Sequence, residues 1–328
     1  MKTPLYDDKW IVITGACGFI GSCLVKHLND LGFYNLLLVD DFDSGPKWKN
    51  LVGKRFEDVI SIHELFEFLE GKEQQIEAIV HLGACSDTTE MNSAFLYENN
   101  YRFSVKLCQY ALTYGHRFIY ASSAATYGLG EQGFSDDEAL LDSLRPLNPY
   151  AFSKHLFDLW AKRQDVLKQI VSIKYFNIFG PNESHKGHMS SMIYKMVPKI
   201  LATGKIELFK SNDPQYQDGE QVRDFLYVKE AVAMTAAFLS NQVCGVYNIG
   251  SGVPTTWNTL ASTLFSALGK PIHIEYIPIP TEISNAYQNF TLADMSKFKK
   301  DVVYAPRFDL EASVKDYVLN HLLPHKGW

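Results

Sequence analysis

The sequence predicts an α/β protein in which a doubly wound parallel sheet carries a second, smaller and discontinuous α/β lobe. Two observations predict this. Strand-like apolar runs alternate with helical stretches as far as Tyr175, and beyond it the regular alternation gives way to segments rich in turns and aromatic residues. With 328 residues, 46% of them hydrophobic, the chain has material for about two folding units and a sizeable core.

The first unit is legible in "WIVITGACGFIGSCLVKHLNDLGFYNLLLVDDFDSG". A buried strand over Ile11 to Thr14, a glycine turn, an amphipathic helix and a second strand over Leu36 to Val39 form a βαβ unit. In the turn, Gly15 permits the sharp bend, Gly18 lets the backbone approach a pyrophosphate, and Gly21 lets helix and strand pack closely. The helix N-terminus adds free N–H groups and partial positive charge for phosphate. This is a Rossmann-type dinucleotide site. Asp40 and Asp41 stand where an acidic side chain binds the adenosine ribose of NAD. Lys47 instead suits the 2′-phosphate of NADP, and the residues alone leave both cofactors open.

The alternation continues through a strand at 78–84, a helix around Asn99 to Tyr114 and a strand at 117–128. Asn99 either faces the cofactor or caps its helix. "PLNPYAFSKHLFDLW" then starts a helix, with Asn148 able to cap it and Pro149 tolerated in its first turn. Tyr150 and Lys154, four residues apart, share one face of that helix. A tyrosine titrates near 10, about three units too high for a base at neutrality, unless a cation stabilises the phenolate. Lys154 supplies that charge and reaches a nicotinamide ribose. Ser123, at a strand end where open α/β sheets bind ligands, can hydrogen-bond the same substrate oxygen. Together the three residues suit oxidation at a carbinol.

Composition excludes other classes. A net charge of −6 with both signs interspersed offers no basic stripe for nucleic acid. The five cysteines are scattered without CxxC or Cys/His ligand spacing, which argues against zinc and a secreted disulfide framework and for a reducing cytoplasm. The N-terminal stretch MKTPLYDDKW has no leader character, and no apolar run is long enough to span a bilayer. His185 and His188 lack a convincing third ligand, so no metal is expected.

The GxxGxxG turn, "YASSAATYG", Tyr150-xxx-Lys154, "RDFLYV" and "YNIGSG" resemble the extended short-chain dehydrogenase/reductase family of nucleotide-sugar enzymes over nearly the whole chain. Through "HLGACSDTTE", "ENNY", "KYFNIFGPNESHKGHMSS" and "YQNFTLADM" the likeness is closest to the branch that epimerises ADP-heptose at C-6. The resemblance implies an isomerase that supplies heptose for lipopolysaccharide cores and holds NADP, with NAD as the alternative. It also implies a homo-oligomer, a pentamer in this branch. The cofactor contacts it implies are Phe19, Ile20, Asp40, Asp41, Lys47, Leu82, Gly83, Ala84, Cys85, Ser86, Asn99, Tyr150, Lys154, Ile178 and Lys186, besides the glycine turn. For the substrate it implies Ser123, Asn177, His188, Lys195, Phe209, Lys210, Ser211, Asn212, Arg223 and Tyr287. Leu82, Ile62, His188, Lys195 and an insertion before Arg223 depart from the usual pattern.

The cofactor lobe is expected over 1–175, 227–252 and 288–303, and the substrate lobe over 176–226, 253–287 and 304–328, with the substrate in the cleft between them. There Arg223 suits a diphosphate, since a guanidinium binds phosphate oxygens bidentately; an ion pair with Asp224 is its alternative. Inverting a carbinol through a ketone exposes opposite faces in the two half-reactions, which calls for a second acid/base. Lys186, on the loop after "NIFGP", is the candidate. The competing readings are a UDP- or dTDP-sugar 4-epimerase or 4,6-dehydratase, and a cofactor-sensing module without turnover. A dehydratase adds an Asp-Glu pair after the serine strand, where "SSAATYG" has none.

Overall fold

The computed structural model describes residues 8–42, 45–281 and 287–328. Most of the stretch MKTPLYDDKW and residues 282–286 of the 253–287 segment lie outside them. The main sheet has seven strands: β1 (Trp10–Thr14), β2 (Leu36–Asp40), β3 (Asp58–Ser61), β4 (Ile76–His81), β5 (Arg117–Ser123), β6 (Val171–Tyr175) and β11 (Gly245–Ile249). Their order is β11-β6-β5-β4-β1-β2-β3, and every pairing is parallel. Val12, Ile13, Leu36, Leu37, Leu38, Ile79 and Val80 are fully buried, because helices cover both faces and the strands are apolar on both sides. The strand order reverses between β1 and β4, and the crevice at that switch point is where such sheets take ligands.

Among the described residues, three short ribbons accompany the sheet: β7 (Asn177–Phe179) with β10 (Phe225–Tyr227), β8 (Ile206–Phe209) with β13 (Ile274–Ile277), and β9 (Val222–Arg223) with β12 (Thr255–Thr256). The first two are parallel and the third antiparallel. No helix among the described residues is long and apolar enough to cross a membrane.

Two strands end sooner than their apolar runs suggest, and both endings shape the site. β4 stops at His81, and Leu82 to Cys85 peel away. Gly83 N–H donates to the Thr14 hydroxyl (3.0 Å), and the fully buried Asn100 side chain takes both the N–H and the C=O of Cys85 (2.9 Å each). β5 stops at Ser123, whose hydroxyl accepts from Ala125 N–H (3.1 Å) and turns residues 124–127 into a 3₁₀ helix. The helical stretch expected around Asn99 begins earlier, at Ser93 behind an Asn92 cap. It runs through a π-helical segment, Tyr97–Arg102, before the α-helix Phe103–Thr113.

Candidate functional site

The cradle at the end of β1 depends on two glycines. Gly15 has φ +67°, and a Cβ there would lie 2.7 Å from the Gly83 backbone, so the β1 and β4 loops meet at a distance only glycine allows. A Cβ on Gly21 would lie 2.1 Å from the Gly15 carbonyl oxygen. Gly18 precedes the helix Phe19–Asp30 as its N-cap, without a side-chain cap, so the first-turn N–H groups face outward as a phosphate site requires. Asp40 is buried inside this turn: one carboxylate oxygen accepts from Cys17 N–H (2.7 Å) and the other lies 3.0 Å from Lys47 Nζ. Asp41 is exposed beside it. Of the other residues expected near the cofactor, Phe19 is buried; Ile20, Leu82, Gly83, Ala84, Cys85, Asn99 and Ile178 are half-buried; Ser86 is exposed. Asn99 does not cap a helix. Its amide donates to Asn100 (2.9 Å) within the π segment.

Ser123, Tyr150 and Lys154 converge beside this cradle. Asn148 caps the helix Pro149–Arg163, accepting from Ala151 N–H (2.8 Å), which brings Tyr150 into the first turn. Burial holds the Tyr150 phenol above its ordinary range, and the hydrogen bond with Ser123 pulls it back. Lys154 is 2% exposed, and its Nζ has no hydrogen-bond partner among the described residues; it lies 4.8 Å from the centre of the Tyr120 ring. Burial lowers its pKa from 10.5 to about 7, opposed by the Asp158 carboxylate. An orphaned buried ammonium next to a glycine cradle fits the ribose hydroxyls of a nicotinamide dinucleotide, which would satisfy it. Such a cofactor, when bound, accepts and returns a hydride.

Lys186, in the segment Ser184–Met189 that follows β7, reaches the same cradle from the other side of the chain. Its Nζ lies 5.7 Å from the Phe19 ring centre, and burial lowers its pKa, opposed by Glu183. Glu183, 1% exposed, fixes the loop: it accepts from Ser191 N–H and hydroxyl (2.5 and 2.7 Å), from Gly180 N–H (3.2 Å) and from Tyr317 OH (2.8 Å). His188 turns outward, 3.3 Å from Asp87 on the loop after β4, and Lys195 donates to its carbonyl (2.6 Å).

On β9, Arg223 is 8% exposed, and its guanidinium lies 5.2 Å from the Tyr287 ring and 5.7 Å from that of Trp257. The alternative ion pair with Asp224 does not form. Asp224 instead accepts from Ser251, Gly252 and Ala293 N–H groups at 2.7 to 3.1 Å. Phe209 meets Tyr287 edge-on at 5.9 Å. Next to it Lys210 and Asn212 are exposed, while Ser211 is half-buried and its N–H donates to Asp218. Asn177 donates to the Asp224 carbonyl (3.1 Å). Among the described residues, no group of three His, Cys, Asp or Glu could hold a metal ion.

The NAD dependent epimerase/dehydratase family model matches residues 11–250, which span the cradle, Ser123, Tyr150, Lys154, Lys186 and Arg223. The chain belongs to that family. Relatives within it match nearly end to end. A protein of Nitratidesulfovibrio vulgaris strain DP4 named ADP-L-glycero-D-manno-heptose-6-epimerase is 46% identical over 95% of this chain and 97% of its own length. One of the same name from Fusobacterium nucleatum is 40% identical over 95% and 98%. The crystal structure of the Helicobacter pylori protein of that name superposes with a TM-score of 0.81 at 29% identity, covering 97% of this chain and 96% of the other.

Sequence reasoning missed four polar residues behind this family site: Asn100, Glu183, Asp158 and Lys174. Asn100 adjoins the named Asn99, and Glu183 lies in the quoted lysine loop. Which of two adjacent asparagines turns inward depends on the π segment, which carries no sequence signal.

Proposed function

We propose that this chain interconverts ADP-D-glycero-D-manno-heptose and ADP-L-glycero-D-manno-heptose by transient oxidation at C-6. The observation that carries this reading is the end-to-end match, 46% identical, to a curated relative of that name. The site supports it, because ionisable groups approach the cradle from two elements, the helix Pro149–Arg163 and the segment Ser184–Met189. Tyr150, hydrogen-bonded to Ser123, takes the C-6 hydroxyl proton from one epimer. Lys186, over Phe19, serves the other epimer after the 6-keto group has turned to present its opposite face. Arg223 holds the diphosphate within its aromatic pair, with Phe209 to Asn212 and Tyr287 around the sugar nucleotide. Asn177, His188 and Lys195 border the same cleft.

The cofactor in this reading is NADP. The Lys47–Asp40 pair supports the choice, since it places an ammonium beside the end of β2 and occupies the carboxylate that a ribose 2′-hydroxyl would bind. Lys154 satisfies its buried charge on the nicotinamide ribose. The remainder of the reading is a two-lobed division of the chain with the boundaries expected above, a cytoplasmic setting and a homo-oligomer, pentameric as in the branch it resembles.

Single-turnover absorbance with each epimer tests the division of labour. Lys186→Met and Tyr150→Phe should each abolish steady-state epimerisation while retaining transient cofactor reduction with the epimer served by the remaining base. Near-normal epimerisation by Lys186→Met, or equal loss of both half-reactions, contradicts it.

A further inference from the structure

Behind the helix that carries Tyr150 and Lys154 lies a buried ion pair that the reaction itself does not use. Asp158, one turn beyond Lys154 and on the same face, is fully buried. Its carboxylate accepts from Ser122 Oγ (2.7 Å), Ser172 Oγ (2.7 Å) and Lys174 Nζ (3.0 Å). Lys174, on β6 and also fully buried, donates to Thr126 Oγ1 (2.5 Å) and lies 5.0 Å from the Tyr127 ring centre. Thr126 in turn donates to the Ser123 carbonyl (2.8 Å). One cluster therefore ties the helix bearing Tyr150 and Lys154 to the ends of β5 and β6, next to Ser123.

We propose that the Asp158–Lys174 pair is a positioning element that sets both the placement and the charge state of Lys154. The inference rests on Lys154 belonging to the reaction centre. A buried pair of this kind is a poor source of stability, since apolar residues of similar size often serve as well, so its presence here calls for another role. The charge argument follows from the arrangement. Lys154 has no hydrogen-bonded counter-ion among the described residues, and Asp158 is the carboxylate that favours its ammonium form. The other groups around Lys154 are the neutral rings of Tyr120 on β5 and His81 on β4, the Cys85 thiol on the loop after β4, and Tyr150 on its own helix. His81 is kept neutral by burial, with its pKa lowered to about 3, so it supplies no charge near pH 7. Lys174 is the cation that offsets Asp158. Removing either member of the pair should therefore push Lys154 in opposite directions.

The test is the titration of Lys154, followed by carbon-13 lysine NMR in the full-length protein, with the pH profile of epimerisation alongside. Asp158→Asn should lower the Lys154 midpoint, Lys174→Met should raise it, each by about one pH unit, and the double variant Asp158→Asn/Lys174→Met should return it close to wild type. The double variant carries no unpaired buried charge, so it keeps the test usable where a single variant folds poorly. Midpoints that stay in place, or that move the same way in both single variants, overturn the proposal and leave the pair with a packing role alone.

Discussion

Replacing Lys154 with methionine should make the cofactor-free protein more stable while abolishing its activity. The ammonium is 2% exposed and orphaned, and burial lowers its pKa from 10.5 to about 7. At about 1.4 kcal/mol per unit, keeping it charged in the folded state costs about 5 kcal/mol. The Tyr120 ring returns roughly 1 kcal/mol of that through its π face, so the expected gain from methionine is about 4 kcal/mol. The pH dependence has a definite sign. Because the folded pKa lies below the unfolded one, the unfolded chain binds the extra proton between about pH 7 and 10.5, and wild-type stability rises with pH across that window. The advantage of Lys154→Met is therefore full below pH 7 and fades toward pH 10. Urea unfolding of both cofactor-free proteins at several pH values measures it. A variant less stable than wild type at pH 6.5, or a difference that stays flat as pH rises, would refute the reasoning.

Other outcomes follow from the same geometry. Arg223→Met should raise KM far more than it lowers kcat, with a binding loss on the order of 2 kcal/mol or more for a desolvated charge pair; an unchanged KM removes Arg223 from the diphosphate. Lys47→Met should weaken NADP binding about tenfold or more while sparing NAD, since the lost contact is with a phosphate only NADP carries. Equal losses for both cofactors, measured by fluorescence titration, would return the choice to NAD.

The parts of this molecule that were legible in sequence are those with local signals. The Gly15, Gly18 and Gly21 spacing, the Asn148 cap and the four-residue separation of Tyr150 and Lys154 each depend on one short segment, and each has the conformation that segment dictates. What was not legible depends on residues far apart in the chain. Arg223 and Asp224 are adjacent, yet they do not pair, because Asp224 is claimed by N–H groups near residues 251 and 293. Asp40 read as an open ribose ligand, but the Cys17 N–H and Lys47 reach it first. The partners of Asp158 come from β5 and β6, and nothing in "HLFDLW" announces them.

In the proposed reaction one hydride leaves C-6 and returns to it without exchanging with solvent. Incubating the protein with one ADP-heptose epimer in heavy water, and following C-6 by proton NMR, tests this most directly. Conversion to the other C-6 epimer with the original hydrogen retained at C-6 is the expected result. Deuterium at C-6 would show that the centre is inverted by proton exchange, and no interconversion of either epimer would show that the chain acts on another substrate.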